Sequence, residues 1–189
     1  KKIKKLKPIA AKLLIKIYAQ NAPSGQYFQT PHYDIKRNLE NIGEPAIVPL
    51  IKALESSVED RRYHIVDCLR DIGDKRAIEP LIKILEGNED YFIRPGVHIK
   101  CAEALGRFGD RRAIEPLIML LNDEYHDMHG GYTVREAAKK ALCKCAKALM
   151  RGAKNIEDKE KKNITKFLES DDHGMILIGV SMLKGILEE

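Results

Sequence analysis

Asp123, His126, Asp127 and His129 fall within one glycine-ended stretch, Asn122 to Thr133. Imidazoles beside carboxylates are a donor set for zinc or another divalent ion, so this loop is the first place to look for metal chemistry. No second cluster elsewhere supplies further donors, and the stretch reads equally as a polar turn ending at Gly130-Gly131, so neither metal nor cofactor is expected. The cysteines do not change this. Cys143 and Cys145 are two apart, about 200° around a helix, and cannot face one ion together. Cys68 and Cys101 occupy small apolar positions, where a thiol acts as a small hydrophobe. There is no phosphate-binding loop, no G-x-S-x-G and no nucleophile beside a base. No catalytic residue is assigned, and the chain is expected not to be an enzyme.

Charge offers a second chemistry. The 189 residues carry a net +5, but Lys1, Lys2, Lys4, Lys5, Lys7, Lys12 and Lys16 lie in the first 16 residues without an acid. The remainder holds 26 basic and 28 acidic residues, a net of −2. The excess therefore belongs to one terminal helix and not to a stripe along the molecule, which makes nucleic acid the alternative partner. Met175 to Leu183, the longest apolar run, is half a membrane span, and the lysine-rich start lacks the apolar core of a signal peptide. No membrane association is expected, and the default location is cytoplasmic.

The elements that position these side chains come from a repeat. Gly43-Glu44-Pro45-Ala46-Ile47-Val48-Pro49-Leu50-Ile51, Gly73-Asp74-Lys75-Arg76-Ala77-Ile78-Glu79-Pro80-Leu81-Ile82 and Gly109-Asp110-Arg111-Arg112-Ala113-Ile114-Glu115-Pro116-Leu117-Ile118 are versions of one phrase. Pro49, Pro80 and Pro116 recur at steps of 31 and 36 residues, the spacing of stacked helical repeats. Upstream of each phrase, apolar or small residues recur at helical spacing: Ile35, Leu39 and Ile42; Ile65, Cys68, Leu69 and Ile72; Val97, Cys101, Ala104, Leu105 and Phe108. Ala138, Ala141, Leu142 and Cys145 form a similar face, and Gly179, Met182, Leu183 and Ile186 a weaker one. Each unit is thus a helix A, a Gly turn and a helix B. Glycine takes the left-handed backbone that ends A, the Asp accepts amide hydrogen bonds at the start of B, and Pro sits where its missing N–H costs little.

One hairpin cannot bury its apolar stripe alone, so the units must stack into a single array over residues 1–189. The expected units are 1–19 (partial), 33–57, 61–87, 97–122, 133–169 and 175–189 (partial). Pro8 to Leu14 reads as a helix B whose stripe is Ile3, Leu6, Ile9, Leu13 and Ile17, so the chain begins in mid-repeat and its open end could support weak end-to-end self-association of an otherwise monomeric protein. Asn155 to Glu169 reads as a degenerate B with Ile164, Phe167 and Leu168 inward. Three connections are longer than a compact repeat needs. Gln20 to His32 holds Tyr27 and Phe28, Glu86 to Gly96 holds Tyr91, Phe92 and Arg94, and Asn122 to Thr133 holds Tyr125. Aromatics in surface loops are candidate partner contacts, or cover helix ends.

The phrase Val-Arg-x-x-Ala-Ala-x-Ala-Leu-Gly-x-Ile-Gly-Asp-x-Arg-Ala-x-x-Pro-Leu-Ile, matched well over residues 33–150 and loosely at both ends, resembles the HEAT-like repeats of the phycobilisome-lyase type. The resemblance implies an all-α, right-handed α-solenoid of HEAT/armadillo kind. It also implies that the variable polar positions of helix A line a concave binding face. Here those are Tyr63, His64, Asp67 and Arg70, then Lys100, Glu103 and Arg107, then Glu136, Lys140 and Lys144. Arg62 and Arg135 hold the family's Arg position and are expected to pair with Asp74 or Asp110 of a neighbouring unit. Deoxyhypusine hydroxylase shares the repeat class and binds iron through His-Glu pairs after Val-Arg; the matching positions here are Tyr63-His64, Ile99-Lys100 and Glu136-Ala137, and no such pair exists. A ladder of mixed charge on a rigid surface suits an extended peptide or a protein helix. The leading expectation is a scaffold that binds another protein or peptide; nucleic acid through the lysine-rich helix and a lyase-type subunit are the alternatives.

Overall fold

The structure, a computed structural model, describes residues 2–21, 31–56, 59–87, 95–121, 133–152 and 156–188. Among these are ten α-helices and no strand. They are α1 (Lys2–Asn21), α2 (Pro31–Ile42), α3 (Ile47–Ser56), α4 (Glu59–Ile72), α5 (Ile78–Glu86), α6 (Pro95–Phe108), α7 (Ile114–Leu121), α8 (Val134–Gly152), α9 (Asp158–Leu168) and α10 (His173–Glu188). Helices α2, α4, α6 and α8 pack in sequence as one layer, here layer A. Helices α1, α3, α5 and α7 pack as a second layer, B, and α3–α4, α5–α6 and α7–α8 join the two. The fold is an all-α solenoid.

The junctions follow the expected chemistry, with one refinement. Gly43, Gly73 and Gly109 have φ of 70°, 76° and 62°, the left-handed region where a side chain would be strained. Their N–H groups donate to Leu39, Leu69 and Leu105 carbonyls at 3.0, 3.1 and 3.1 Å, closing the last turn of α2, α4 and α6. The Asp that follows caps a one-turn 3-10 helix inserted before helix B. The Arg76 N–H donates to Asp74 Oδ1 at 2.9 Å, and Arg112 N–H to Asp110 Oδ1 at 3.1 Å. Pro49, Pro80 and Pro116 are each the third residue of their helix, where no intrahelical N–H bond is lost.

The expected pairing of Arg62 and Arg135 with these Asp residues does not occur. Asp74 is bound by Arg76 two residues on (Nη2 to Oδ2, 2.6 Å), and Asp110 by Arg112 (Nε to Oδ1, 2.9 Å). A local Arg reaches the cap without ordering a distant chain segment, which explains the preference. Each of these arginines also reaches back one unit, Arg76 to Glu44 at 3.1 Å and Arg112 to Glu79 at 3.7 Å. Glu115, the next residue in that series, is met by Lys184 of α10. Arg62 Nε is buried without a hydrogen-bond acceptor among the described residues.

Between the layers lies a continuous apolar core that includes Leu50, Leu69, Leu81, Leu105, Leu117 and Leu142, each 1 % exposed or less. Cys101 and Cys145 are fully buried within it and Cys68 nearly so. Burial pushes the Cys68 and Cys145 thiols up to about 12, leaving them uncharged and unreactive at neutral pH. At the far end Ile164, Leu168, Val180 and Leu183 are buried, and α10 packs on α9.

Helix α1 departs from expectation. Leu6, Ile9, Leu13 and Ile17, read as its inward stripe, are 44–58 % exposed, while Ala11 is fully buried and Leu14 and Ile15 pack against the core. The helix is apolar on more than one face, and hydropathy periodicity cannot choose between them. Contact with α2 and α3 selects the face carrying Ala11, whose small side chain permits close approach.

Candidate protein-binding face

Layer A carries the predicted polar ladder, and its side chains form a connected charge network across three helices. Lys36 of α2 reaches Asp67 at 2.7 Å and Asp71 at 2.9 Å on α4. Arg70 binds Asp67 at 2.8 Å and Asp71 at 2.9 Å on its own helix, then Glu103 of α6 at 3.3 Å. Lys100 closes the loop, 3.2 Å from Glu103 and 3.7 Å from Asp67, with its ammonium 5.3 Å from the Tyr63 ring centre. Arg107 reaches Asp71 at 3.2 Å. Tyr63 in turn meets the His64 ring edge-on, with centres 5.2 Å apart.

The electrostatics follow from this packing. Burial alone would raise the Asp71 carboxyl, but hydrogen bonds from Arg70 and Lys36 and their charges outweigh it and hold the group down at about 2. Burial likewise opposes the charge on Lys36 and Lys100. The acids around them prevail, and both ammonium groups are held above the ordinary lysine range. The α2–α4–α6 part of the face is thus self-compensated and firmly ionised at neutral pH.

Beyond it the balance changes. Arg70, Glu103, Arg107, Lys140 and Lys144 line a groove of about 400 Å³ spanning α4, α6 and α8, floored by Ala137 and Ala141. Five of the ten predicted face residues therefore converge on one cavity. The groove is shallow because α6 and α8 are in close contact: a Cβ on Gly106 would lie 2.7 Å from Ala141 Cα. Its cationic wall, Lys140 and Lys144, is exposed to solvent.

Glu136 stands apart. Its carboxylate accepts the Thr133 N–H at 3.0 Å while the Thr133 hydroxyl accepts the Glu136 N–H at 3.1 Å, a reciprocal cap on α8. The Thr-x-x-Glu spacing that signals this cap is readable in the sequence; assigning Glu136 by repeat position alone passed over it. Lys36 and Asp71, central to the network, were also not anticipated. Both lie on the polar side of an A helix, and only the distance between α2 and α4 reveals their partnership. Tyr91, Phe92, Arg94 and Tyr125, the predicted loop contacts, lie outside the described residues, as do His126 and His129. Among the described residues no group of His, Cys, Asp and Glu is arranged to hold a metal, and no helix is long and apolar enough to cross a membrane.

Comparison with curated proteins gives no match. Comparison with protein families matches HEAT repeats over residues 47–143, from α3 into the middle of α8. The matched stretch is more than half of the chain and contains α4, α6 and, of the α8 residues that line the groove, Ala137, Lys140 and Ala141. With paired helices in two layers, Gly-Asp turns at the expected places and this match, the chain belongs to the HEAT-repeat family.

Proposed function

We propose that this protein is a non-enzymatic interaction scaffold that binds a partner protein or peptide across the layer-A face. The observation that carries the reading is the groove across α4, α6 and α8, where Arg70, Glu103, Arg107, Lys140 and Lys144 converge from three successive helices. HEAT repeats commonly mediate protein–protein contacts, and the phycobilisome-lyase type of repeat, our finer reading of this chain, places the same positions on the concave side. A rigid apolar core under a solvent-facing polar groove lets a partner bind without reordering the scaffold, so little of the interaction is spent on folding.

The test is capture from lysate on the immobilised full chain, in parallel with a Lys140→Glu/Lys144→Glu variant of unchanged helical circular dichroism. A discrete protein enriched on the wild type and lost on the variant supports the face. Equal recovery on both removes the assignment. Recovery of nuclease-sensitive material in place of protein, lost on deleting residues 1–7, would transfer the function to the lysine-rich α1, where Lys12 and Lys16 are exposed.

A further inference from the structure

Helix α1 leaves open a stripe that its sister helices bury. Ile9 and Leu13 stand one and five residues after Pro8, the places that Leu50 and Leu54 hold after Pro49, Leu81 and Leu85 after Pro80, and Leu117 and Leu121 after Pro116. Those six leucines are at most 9 % exposed, whereas Ile9 and Leu13 are 55 % and 56 % exposed, with Leu6 and Ile17 exposed beside them. Each of α3, α5 and α7 follows an A helix through its Gly turn, but α1 has no A helix before it among the described residues. Its contacts are with α2, α3 and the turn between them, and its core-facing residues are Ala11, Leu14 and Ile15. Positions that protein covers in three B helices therefore face solvent in the fourth.

Shape and charge narrow the occupant. Leu6, Ile9, Leu13 and Ile17 recur at steps of three, four and four residues, a narrow seam of the kind that a second helix fills. Lys12 and Lys16, one turn apart, border the seam on one side. Both are exposed, and neither enters a hydrogen bond or ion pair among the described residues. Lys7 is occupied, its ammonium donating to the Ile42 carbonyl at 3.4 Å. The first 16 residues hold seven lysines and no acid, so nothing within that stretch cancels the positive potential. This charge disfavours a second copy of the chain as the occupant. Two α1 seams face to face would set lysine against lysine. The exposed Leu177 and Ile178 of α10 have His173, Gly174, Ser181 and Met182 one turn away, none of them acidic. The acids at the start of α10 are engaged, Asp171 by Lys139 at 2.7 Å and Asp172 by the Met175 N–H at 2.9 Å.

We propose that the outer face of α1 docks an acidic amphipathic helix of a partner protein. The apolar stripe of that helix meets Leu6, Ile9, Leu13 and Ile17, and carboxylates one turn apart along its edge meet Lys12 and Lys16. The site is separate from the layer-A groove and does not depend on it. The test uses a fluorescein-labelled helical peptide matched in length to α1, with leucines at helical spacing and glutamates along both edges of the stripe. Its binding to the full chain is followed by fluorescence anisotropy. The expected result is saturable binding, weakened about tenfold or more by Leu13→Glu and by Lys12→Glu/Lys16→Glu. Met119→Glu, at an equally exposed apolar residue of α7, should leave it unchanged. A peptide with lysines in place of the glutamates should bind the wild type about tenfold more weakly or less. Should these variants lose helical circular dichroism, Lys12→Gln/Lys16→Gln is expected to weaken binding in the same direction. No anisotropy change with the wild type, or equal affinity in the α1 variants, overturns the proposal. Two controls on the full chain without peptide identify a different occupant. Sedimentation equilibrium that shows self-association, lost in Leu13→Glu, overturns the proposal in favour of a second copy. Co-sedimentation with phosphatidylserine–phosphatidylcholine vesicles in place of peptide binding, lost in the same variant, overturns it in favour of an anionic lipid surface.

Discussion

Asp71 faces three cations, Lys36 at 2.9 Å, Arg70 at 2.9 Å and Arg107 at 3.2 Å, drawn from three helices. It is the residue through which α2, α4 and α6 share charge. Its carboxyl is held at about 2 against an ordinary 3.8, so between those values the unfolded chain binds the proton and the folded chain does not. Stability from this group is complete above about pH 4 and is lost as pH falls toward 2. Asp71→Asn is therefore expected to lower the urea midpoint at neutral pH and to flatten its fall between pH 4 and 2. Paired urea titrations across that range check both parts; a variant profile parallel to the wild type would show that Asp71 is not the acid-sensitive tie. At the same scale, the Gly turns and the Asp caps were legible because each is decided by its own backbone. The partners of Asp71 were not, because they depend on distances between helices that no local pattern encodes.

At the scale of elements, α6 and α8 are held at a distance that their sequences set jointly. Gly106 is buried, and an added Cβ would lie 2.7 Å from Ala141 Cα and 2.9 Å from its Cβ. Helix propensity favours alanine over glycine by about 1 kcal/mol in an exposed helix interior. Packing acts in the opposite direction here, since the intrusion forces two helices apart, at about 1–3 kcal/mol for overpacking. Packing is expected to prevail, so Gly106→Ala lowers the urea midpoint and Gly106→Ala/Ala141→Gly recovers part of the loss. A raised midpoint in the single variant would mean that α6 and α8 separate without cost and that the groove floor is not fixed. The helices themselves were readable: Val97, Cys101, Ala104 and Leu105 are buried as their spacing requires. The groove was not. The family resemblance put Lys140 and Lys144 among the polar face positions, but the cavity exists because Ala137, Ala141 and Gly106 bring two helices close enough to make a floor. Helix α1 shows the same limit, since Leu6, Ile9, Leu13 and Ile17 form as regular a stripe as any in the chain and face outward.

Across the whole molecule, cohesion passes from helix to neighbouring helix. The ion pairs obey the same rule: Lys36 and Arg70 link α2 to α4 to α6, while Lys139 to Asp171 at 2.7 Å and Lys147 to Glu169 at 2.8 Å link α8 to the turn between α9 and α10. In such an array stability is a sum of unit and interface contributions, and a lesion is felt according to how many interfaces it touches. Leu105 on α6 and Leu183 on α10 are both fully buried, and truncating either to alanine should cost about 2–5 kcal/mol locally. Their reach should differ. Helix α6 contacts α4, α5 and α8, whereas α10 packs on α9 and touches α7 through Lys184 and Glu115. Leu105→Ala is expected to lower amide hydrogen-exchange protection from α4 through α8. Leu183→Ala should lower it in α9 and α10 and leave α2 to α6 near the wild-type level. Equal loss throughout the chain in both variants would show that the array opens as one cooperative body. In the nearest-neighbour case, a partner seated across α4, α6 and α8 spans the helices whose openings are coupled, and its binding should raise protection in all three at once. A ligand seated at the far end, on α9 and α10, should leave α4 and α6 near their ligand-free level, so the exchange pattern distinguishes the two ends of the array.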